Sequence, residues 1–251
     1  MTMRPAMMVT GGAKRIGAAI AHAFGAAGWH VVIHYGQSTA QAEALEAQLS
    51  SAEIVSCDLS DGQAAVAMVE RLAARLKDWR VLINCAGVFD LDTAEALDEH
   101  TFDKTMQINA GTPALLAQAF LRHAQARGGR RLIHVTDQKL LNPNPDFFSY
   151  TMSKHALAAT IPMLSMARTR AEDRIYGIAP GAILASHDQT EAETEVSHRM
   201  NLLGRKTSPQ DIADTALFLA DGWVASGQTV YVDSGQHLLA QERDVLFLAR
   251  Q

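Results

Sequence analysis

Tyr150 and Lys154 are the side chains whose types and spacing speak most directly of chemistry. They stand four positions apart, so on a helix they share one face. An ammonium beside a phenol favours the phenolate, lowers the Tyr pKa and makes the hydroxyl a usable acid near neutral pH. Many helices carry this spacing by chance. Its weight here comes from place, because Tyr150-Thr151-Met152-Ser153-Lys154 opens a helical stretch after the fifth apolar run. A second candidate site is the turn Thr10-Gly11-Gly12-Ala13-Lys14-Arg15-Ile16-Gly17, directly after the first apolar run. Small residues such as Gly11 and Gly17 let a backbone approach a pyrophosphate closely. The helix that follows would turn its free N–H groups and positive dipole end toward it, with Lys14, Arg15 and Ile16 completing the contact. The plain alternative is a turn with no ligand.

An NAD site places an acid about 20 residues beyond the glycine turn, on the ribose 2′-OH. The corresponding window, Val31 to Ser38, contains no Asp or Glu. A carboxylate would repel a 2′-phosphate, so its absence admits NADPH. Ser38, His34 and Arg15 are the groups placed to supply hydrogen bonds or charge.

These candidates need a scaffold, and the sequence alternates two kinds of segment. Short, nearly continuous apolar runs span Ala6–Thr10, His30–His34, Glu53–Cys57, Val81–Asn84, Leu132–Thr136, Arg174–Ala179 and Gln228–Val232. Such runs read as parallel strands buried on both faces. Between them lie helical candidates at Ile16–Ala27, Thr39–Ser50, Gly62–Leu76, Phe102–Ala126, Tyr150–Arg170 and Pro209–Ala220, the last capped by Ser208 with Pro at its first position. The expectation is one α/β domain over residues 1–251, a Rossmann fold with a doubly wound parallel sheet of seven strands flanked by helices. Gly181–Met200 holds no strand pattern and is either a lid over a site or a solvated excursion.

Composition narrows the function. The net charge of -5 argues against a nucleic-acid surface. Two cysteines, Cys57 and Cys85, form no C-x-x-C pair, and the histidines show no ligand spacing, so no metal is expected. No apolar run reaches the ~18 residues of a membrane span, and Met1–Met8 lacks a signal-peptide core, so the expected address is the cytoplasm.

The motifs together resemble the short-chain dehydrogenase/reductase family, and Arg15 in the glycine turn resembles its pteridine reductase branch. His34-Tyr35-Gly36-Gln37-Ser38 is similar to that branch's H-Y-x-x-S segment. The resemblance implies that Asp58 and Leu59 bind adenine, that Asn84-Cys85-Ala86-Gly87 matches an N-N-A-G turn, and that Lys154 also holds the nicotinamide ribose. It places Pro180-Gly181 and Ile183 beside the nicotinamide and gives Asn109 a proton-relay role. Thirteen residues before Tyr150, where the family carries Ser, stands Asp137. That change marks pteridine reductases, and it suits the chemistry: a carboxyl group can bond to basic pterin nitrogens or help deliver a proton, whereas a ketone needs only a hydroxyl. The alternative is a turn or cap residue. Catalytic expectations are therefore Asp137, Tyr150, Lys154 and Asn109, with Arg15, Phe89, Asp137 and Tyr150 facing a pterin. The strict aromatic position falls on Val88, one residue before Phe89.

The expected reaction is NADPH-dependent reduction of a 7,8-dihydropterin. A general carbonyl or 3-oxoacyl reductase, or a non-catalytic NADP-binding sensor, are the competing readings. The resemblance also implies a homotetramer formed through Phe102–Ala126 and Tyr150–Arg170. Leu115, Leu116, Phe120, Leu157, Ile161 and Leu164 supply more apolar surface there than one sheet contact needs. Tyr176 replaces an Asn common in the family, with no functional reading.

Overall fold

The structure is a computed structural model that describes residues 4–186 and 188–251; Met1–Met3 and His187, within the Gly181–Met200 stretch, lie outside the described residues. Each of the seven apolar runs forms a strand: β1 (Ala6–Val9), β2 (His30–Tyr35), β3 (Ala52–Ser56), β4 (Trp79–Asn84), β5 (Arg131–Val135), β6 (Arg174–Pro180) and β7 (Thr229–Val232). All pair in parallel in the order β3-β2-β1-β4-β5-β6-β7. The order reverses between β1 and β4, which opens a crevice beyond their carboxyl ends.

Both faces of the sheet are covered, and strand residues alternate between two cores. Met7, Val9 and Ile133 pack under α1 (Arg15–Ala26) and α8 (Pro209–Ala220), with Phe24 and Ile212. Met8, Val32 and Leu132 pack under α3 (Gly62–Arg75), α5 (Thr112–His123) and α6 (Phe148–Ala167), with Met68 and Phe120. Tyr176 belongs to the first core. It is fully buried, and its hydroxyl donates to the Val224 carbonyl at 2.5 Å.

The helices depart from expectation in four places. The short α2 (Thr39–Glu46) stops before Ser50. The helix expected over Phe102–Ala126 is broken: α4 (Glu99–Met106), a π-helical turn (Gln107–Gly111) and then α5. Pro113 explains the break, because it has no N–H to give the Asn109 carbonyl four residues back. The ladder slips instead, and the Thr112 N–H bonds Gln107 five residues back. The polar stretch after β6 holds α7 (Glu191–Ser197), started by a capping box between Thr190 and Glu193. A last short helix, α9 (Val245–Leu248), follows β7.

Of the apolar side chains named on the two long helices, Leu116, Phe120, Leu157 and Ile161 are fully buried within this chain, whereas Leu115 and Leu164 are half-buried. Exposed apolar side chains on α6 are Met152, Met163 and Met166. Among the described residues, no helix is long and apolar enough to cross a membrane.

Two histidines lie inside the sheet, His34 at 2% and His134 at 0% exposure. Burial disfavours the imidazolium and lowers their pKa values from 6.5 to about 4 and about 3. Below pH 6.5 the unfolded chain takes up both protons while the folded chain refuses them. Stability is therefore present above that pH and lost as pH falls toward 4, by up to ~2.7 kcal/mol per pH unit for two protons. Urea unfolding at pH 7 and pH 5 should show this fall, and His134→Asn should make it shallower. An unchanged midpoint across that range would contradict it.

Candidate active site

The crevice is a cleft of about 600 Å³ lined from the glycine turn, the turn after β4, the end of β5, α6, the segment after β6 and the C-terminal segment. Gly11 has φ +63, and a Cβ there would stand 3.0 Å from the Ala86 Cα. A Cβ on Gly17 would collide with the Gly11 carbonyl, so the turn and α1 can pack this closely only with glycine. No side chain caps the first N–H groups of α1, and its first turn carries no acid. Gly11, Lys14, Arg15, Ile16 and Gly17 all line the cleft. Arg15 takes φ +56, a costly backbone for a residue with a Cβ. Its guanidinium crosses to the carbonyl of Ala185 at 3.2 Å, on the far wall. A backbone cradle, uncapped helical donors and two basic side chains fit a dinucleotide diphosphate.

His34 does not serve as expected. Its Nδ1 accepts from the Gly11 N–H at 3.2 Å, and its Nε2–H donates to the Cys57 carbonyl at 3.0 Å. Both ring nitrogens are occupied, and the low pKa keeps the ring neutral. It braces the glycine turn against the end of β3 and supplies no charge to a phosphate. Tyr35, the last residue of β2, and Ser38, just beyond it, are half-buried. Asp58 is exposed and caps the Ser60 N–H at 2.9 Å, while the buried Leu59 accepts from the Thr112 hydroxyl through its carbonyl at 2.7 Å. These four flank the cleft without lining it.

Asn84 also turns away from the cleft. Its Nδ2 bridges the Pro113 carbonyl and the His134 Nδ1, each at 3.1 Å, so it ties β4 to β5 and α5. Ala86 and Gly87 do line the cleft. Their turn is held by Thr10, whose Oγ1 accepts from the N–H groups of Cys85 and Ala86 at 2.9 and 3.0 Å. Asn109, in the π turn, accepts from the Val88 N–H at 2.8 Å and donates to the Val88 carbonyl at 2.9 Å and the Ser153 Oγ at 3.1 Å. Its side chain is thus a clamp between the β4 turn and α6. The group left without its helical donor is its main-chain carbonyl. Pro180, Gly181 and Ile183 line the opposite wall. A Cβ on Gly181 would come within 2.7 Å of the Gln236 Oε1, which itself accepts from the Ala182 N–H at 2.9 Å.

The chemistry-bearing side chains meet at the end of β5. The Tyr150 hydroxyl donates to Asp137 Oδ2 at 2.8 Å. Asp137 Oδ1 accepts from the Lys139 N–H at 2.8 Å. Lys154 stands one helical turn beyond Tyr150; its Nζ donates to the Val135 carbonyl at 2.8 Å and lies 5.5 Å from the Tyr150 ring centre.

Burial governs the protonation of all three. It pushes the Asp137 carboxyl up, against the Lys139 N–H bond, the charges of Lys139 and Lys154, and the Tyr150 hydroxyl. It pushes the Lys154 amine down. The Tyr150 phenol is raised well above its usual range, first by burial and then by the Asp137 carboxylate, the reverse of the shift expected from the Tyr–Lys spacing. The ammonium serves the ring face and a carbonyl, and the hydroxyl serves an acid.

Phe89 stacks on Phe147 with ring centres 3.9 Å apart and meets Tyr150 edge-on at 4.6 Å. Several cleft residues carried no signal in the sequence. Gln138 is 6% exposed with an unpartnered Oε1; Lys139, His198 and Asp244–Leu246 complete the wall. Only Lys139 and Gln138 adjoin a residue that sequence reasoning had marked.

The sequence matches the family described as Enoyl-(Acyl carrier protein) reductase over residues 11–237. It is similar to the crystal structure of FolM Alternative dihydrofolate reductase 1 from Brucella suis in complex with NADP, with TM-score 0.88 and 29% identity, covering 96% of this chain and 98% of that one. Pteridine reductase 1 of Leishmania tarentolae is 27% identical, over 93% of this chain and 96% of that protein. The 7alpha-hydroxysteroid dehydrogenase of Escherichia coli is 29% identical, over 91% of this chain and 92% of that protein. With its glycine turn, its Tyr150–Lys154 pair and its parallel sheet, the chain belongs to the short-chain dehydrogenase/reductase family.

Proposed function

We propose that this protein is an NADPH-dependent reductase of 7,8-dihydropterins, taking the C6–N5 imine to the tetrahydro form. The observation that carries the reading is the hydrogen bond of 2.8 Å from Tyr150 to Asp137 inside the cleft, a carboxyl at the place where a carbonyl reductase of this family keeps a hydroxyl. The likeness to proteins named for pteridine and dihydrofolate reduction supports it.

The residues fit the cofactor as follows. Gly11, Lys14, Arg15, Ile16 and Gly17 would hold the diphosphate, Ser38 the 2′-phosphate, Lys154 the nicotinamide ribose and Ile183 the carboxamide. NADPH, when bound, supplies the hydride. The chain supplies the rest. Phe89, backed by Phe147, gives a flat ring an apolar wall, and Arg15 lies at the boundary between cofactor and substrate. Asp137 is the acid of the pair, because burial holds its proton at higher pH than an ordinary carboxyl, while Tyr150 stays a neutral donor. Together they orient the ring and deliver a proton to N5. Lys154, fixed on the Val135 carbonyl, keeps positive charge beside them as the proton leaves.

The kcat for dihydropterin reduction should fall as pH rises through the raised pKa of Asp137. Tyr150→Phe and Lys154→Ala should each lower kcat by ~10²-fold or more. Asp137→Ser should hurt pterin reduction at least as much while leaving the KM for NADPH near its wild-type value. Reduction that survives Asp137→Ser, or a kcat/KM that favours NADH over NADPH, would overturn the reading.

A further inference from the structure

Lys139 is a buried cation in the wall of the cleft, and its partner comes from the far end of the chain. Its Nζ pairs with Asp244 Oδ2 at 2.7 Å and also donates to Asn144 Oδ1 at 3.1 Å and the Asp146 carbonyl at 3.2 Å. Asp244 is held in place by its neighbours. Its N–H donates to Asp146 Oδ2 at 2.8 Å, and Arg243 forks onto the same carboxylate. Past α9, Arg250 pairs with Glu193 at 2.8 Å and Asp188 at 3.0 Å, which fastens the C-terminal segment to α7. Asp244 thus enters the cleft on a segment clasped at both ends.

Asp137 meets this pair through Lys139, whose N–H holds its Oδ1. The groups that face Asp137 can be named element by element. Lys139 comes from its own turn, Tyr150 and Lys154 from α6, Asp244 from the C-terminal segment, and Cys85 from the β4 turn, where burial lifts the thiol to about 11 and keeps it neutral. Lys14 and Arg15 stand on the glycine turn across the cleft. Asp244 offsets part of the Lys139 charge, which still draws the Asp137 carboxyl down against its burial. Without that carboxylate, more of the ammonium's charge would act on Asp137 and favour loss of its proton.

We propose that Lys139 and Asp244 are a positioning pair for the proton-donating carboxyl: Asp244, carried in by the C-terminal segment, offsets the charge that Lys139 brings to Asp137. The proposal rests on the dihydropterin reading only for the destination of that proton.

The test compares Asp244→Asn, Lys139→Gln and the double variant. The protonated carboxyl of Asp137 is titrated by infrared difference spectroscopy on the cofactor-free protein, with Asp137→Asn identifying its band. The pH profile of kcat is measured alongside. Asp244→Asn should move the Asp137 titration down by about one pH unit or more, and Lys139→Gln should move it up. The double variant should return it close to wild type. The kcat profile should shift in parallel at an unchanged KM for NADPH. An Asp137 titration that stays fixed in both single variants, or a double variant displaced as far as Asp244→Asn, would overturn the proposal. A wild type that reduces no dihydropterin would remove the substrate reading and still leave the titration to decide this one.

Discussion

A carboxyl group hydrogen-bonded to a phenol in a desolvated wall sets the terms for the rest of this structure. Burying an acid beside another weak acid is costly unless cations and N–H donors surround them. The fold supplies both. Asp137 sits at the carboxyl end of β5, where the strand stops pairing and the Lys139 N–H is free to turn back onto it. Tyr150 and Lys154 arrive one turn apart on α6, and the Val135 carbonyl fixes the ammonium on the same strand end. Deep burial raises both the phenol and the carboxyl, and their meeting follows from where the sheet ends.

The cleft around this pair is assembled by struts rather than by ligand-facing groups. His34 ties the glycine turn to β3, Thr10 ties it to the β4 turn, and Asn109 ties that turn to α6. Each strut joins two segments that would otherwise be loops, so the cradle keeps its shape before a cofactor arrives. The π turn that carries Asn109 follows from Pro113, a single residue without an N–H. The wall opposite is closed by α7 and the C-terminal segment, which Arg250 and Arg243 fasten to each other and to the loop before α6.

Much of this could be read from the sequence, and the failures have physical causes. The strands were plain because runs such as Val31-Val32-Ile33 can sit only between two apolar layers. The glycine turn, Asp137, Tyr150 and Lys154 were legible because each belongs to a short motif, and they do meet in one cleft, where Phe89 joins them one residue past the expected aromatic position. His34 misled because a polar residue in a strand was taken as facing a ligand, whereas strand alternation sets it on the same face as the buried Val32. The Tyr150 shift had the wrong sign because spacing shows the nearby ammonium and conceals both the burial and the second acid. The broken helix had a visible signal in Pro113. The C-terminal wall had none, since Arg243 and Asp146 are 97 positions apart and no periodicity joins them.

The central claim is that a carboxyl in place of a hydroxyl commits this family member to a ring nitrogen rather than a carbonyl oxygen. The most direct measurement is NADPH oxidation by the wild-type protein with a panel of dihydropterins, dihydrofolate and simple ketones under identical conditions. The account predicts turnover with the dihydropterins or dihydrofolate and little or none with the ketones. Brisk reduction of ketones with no turnover of any pterin would contradict it and leave a general carbonyl reductase.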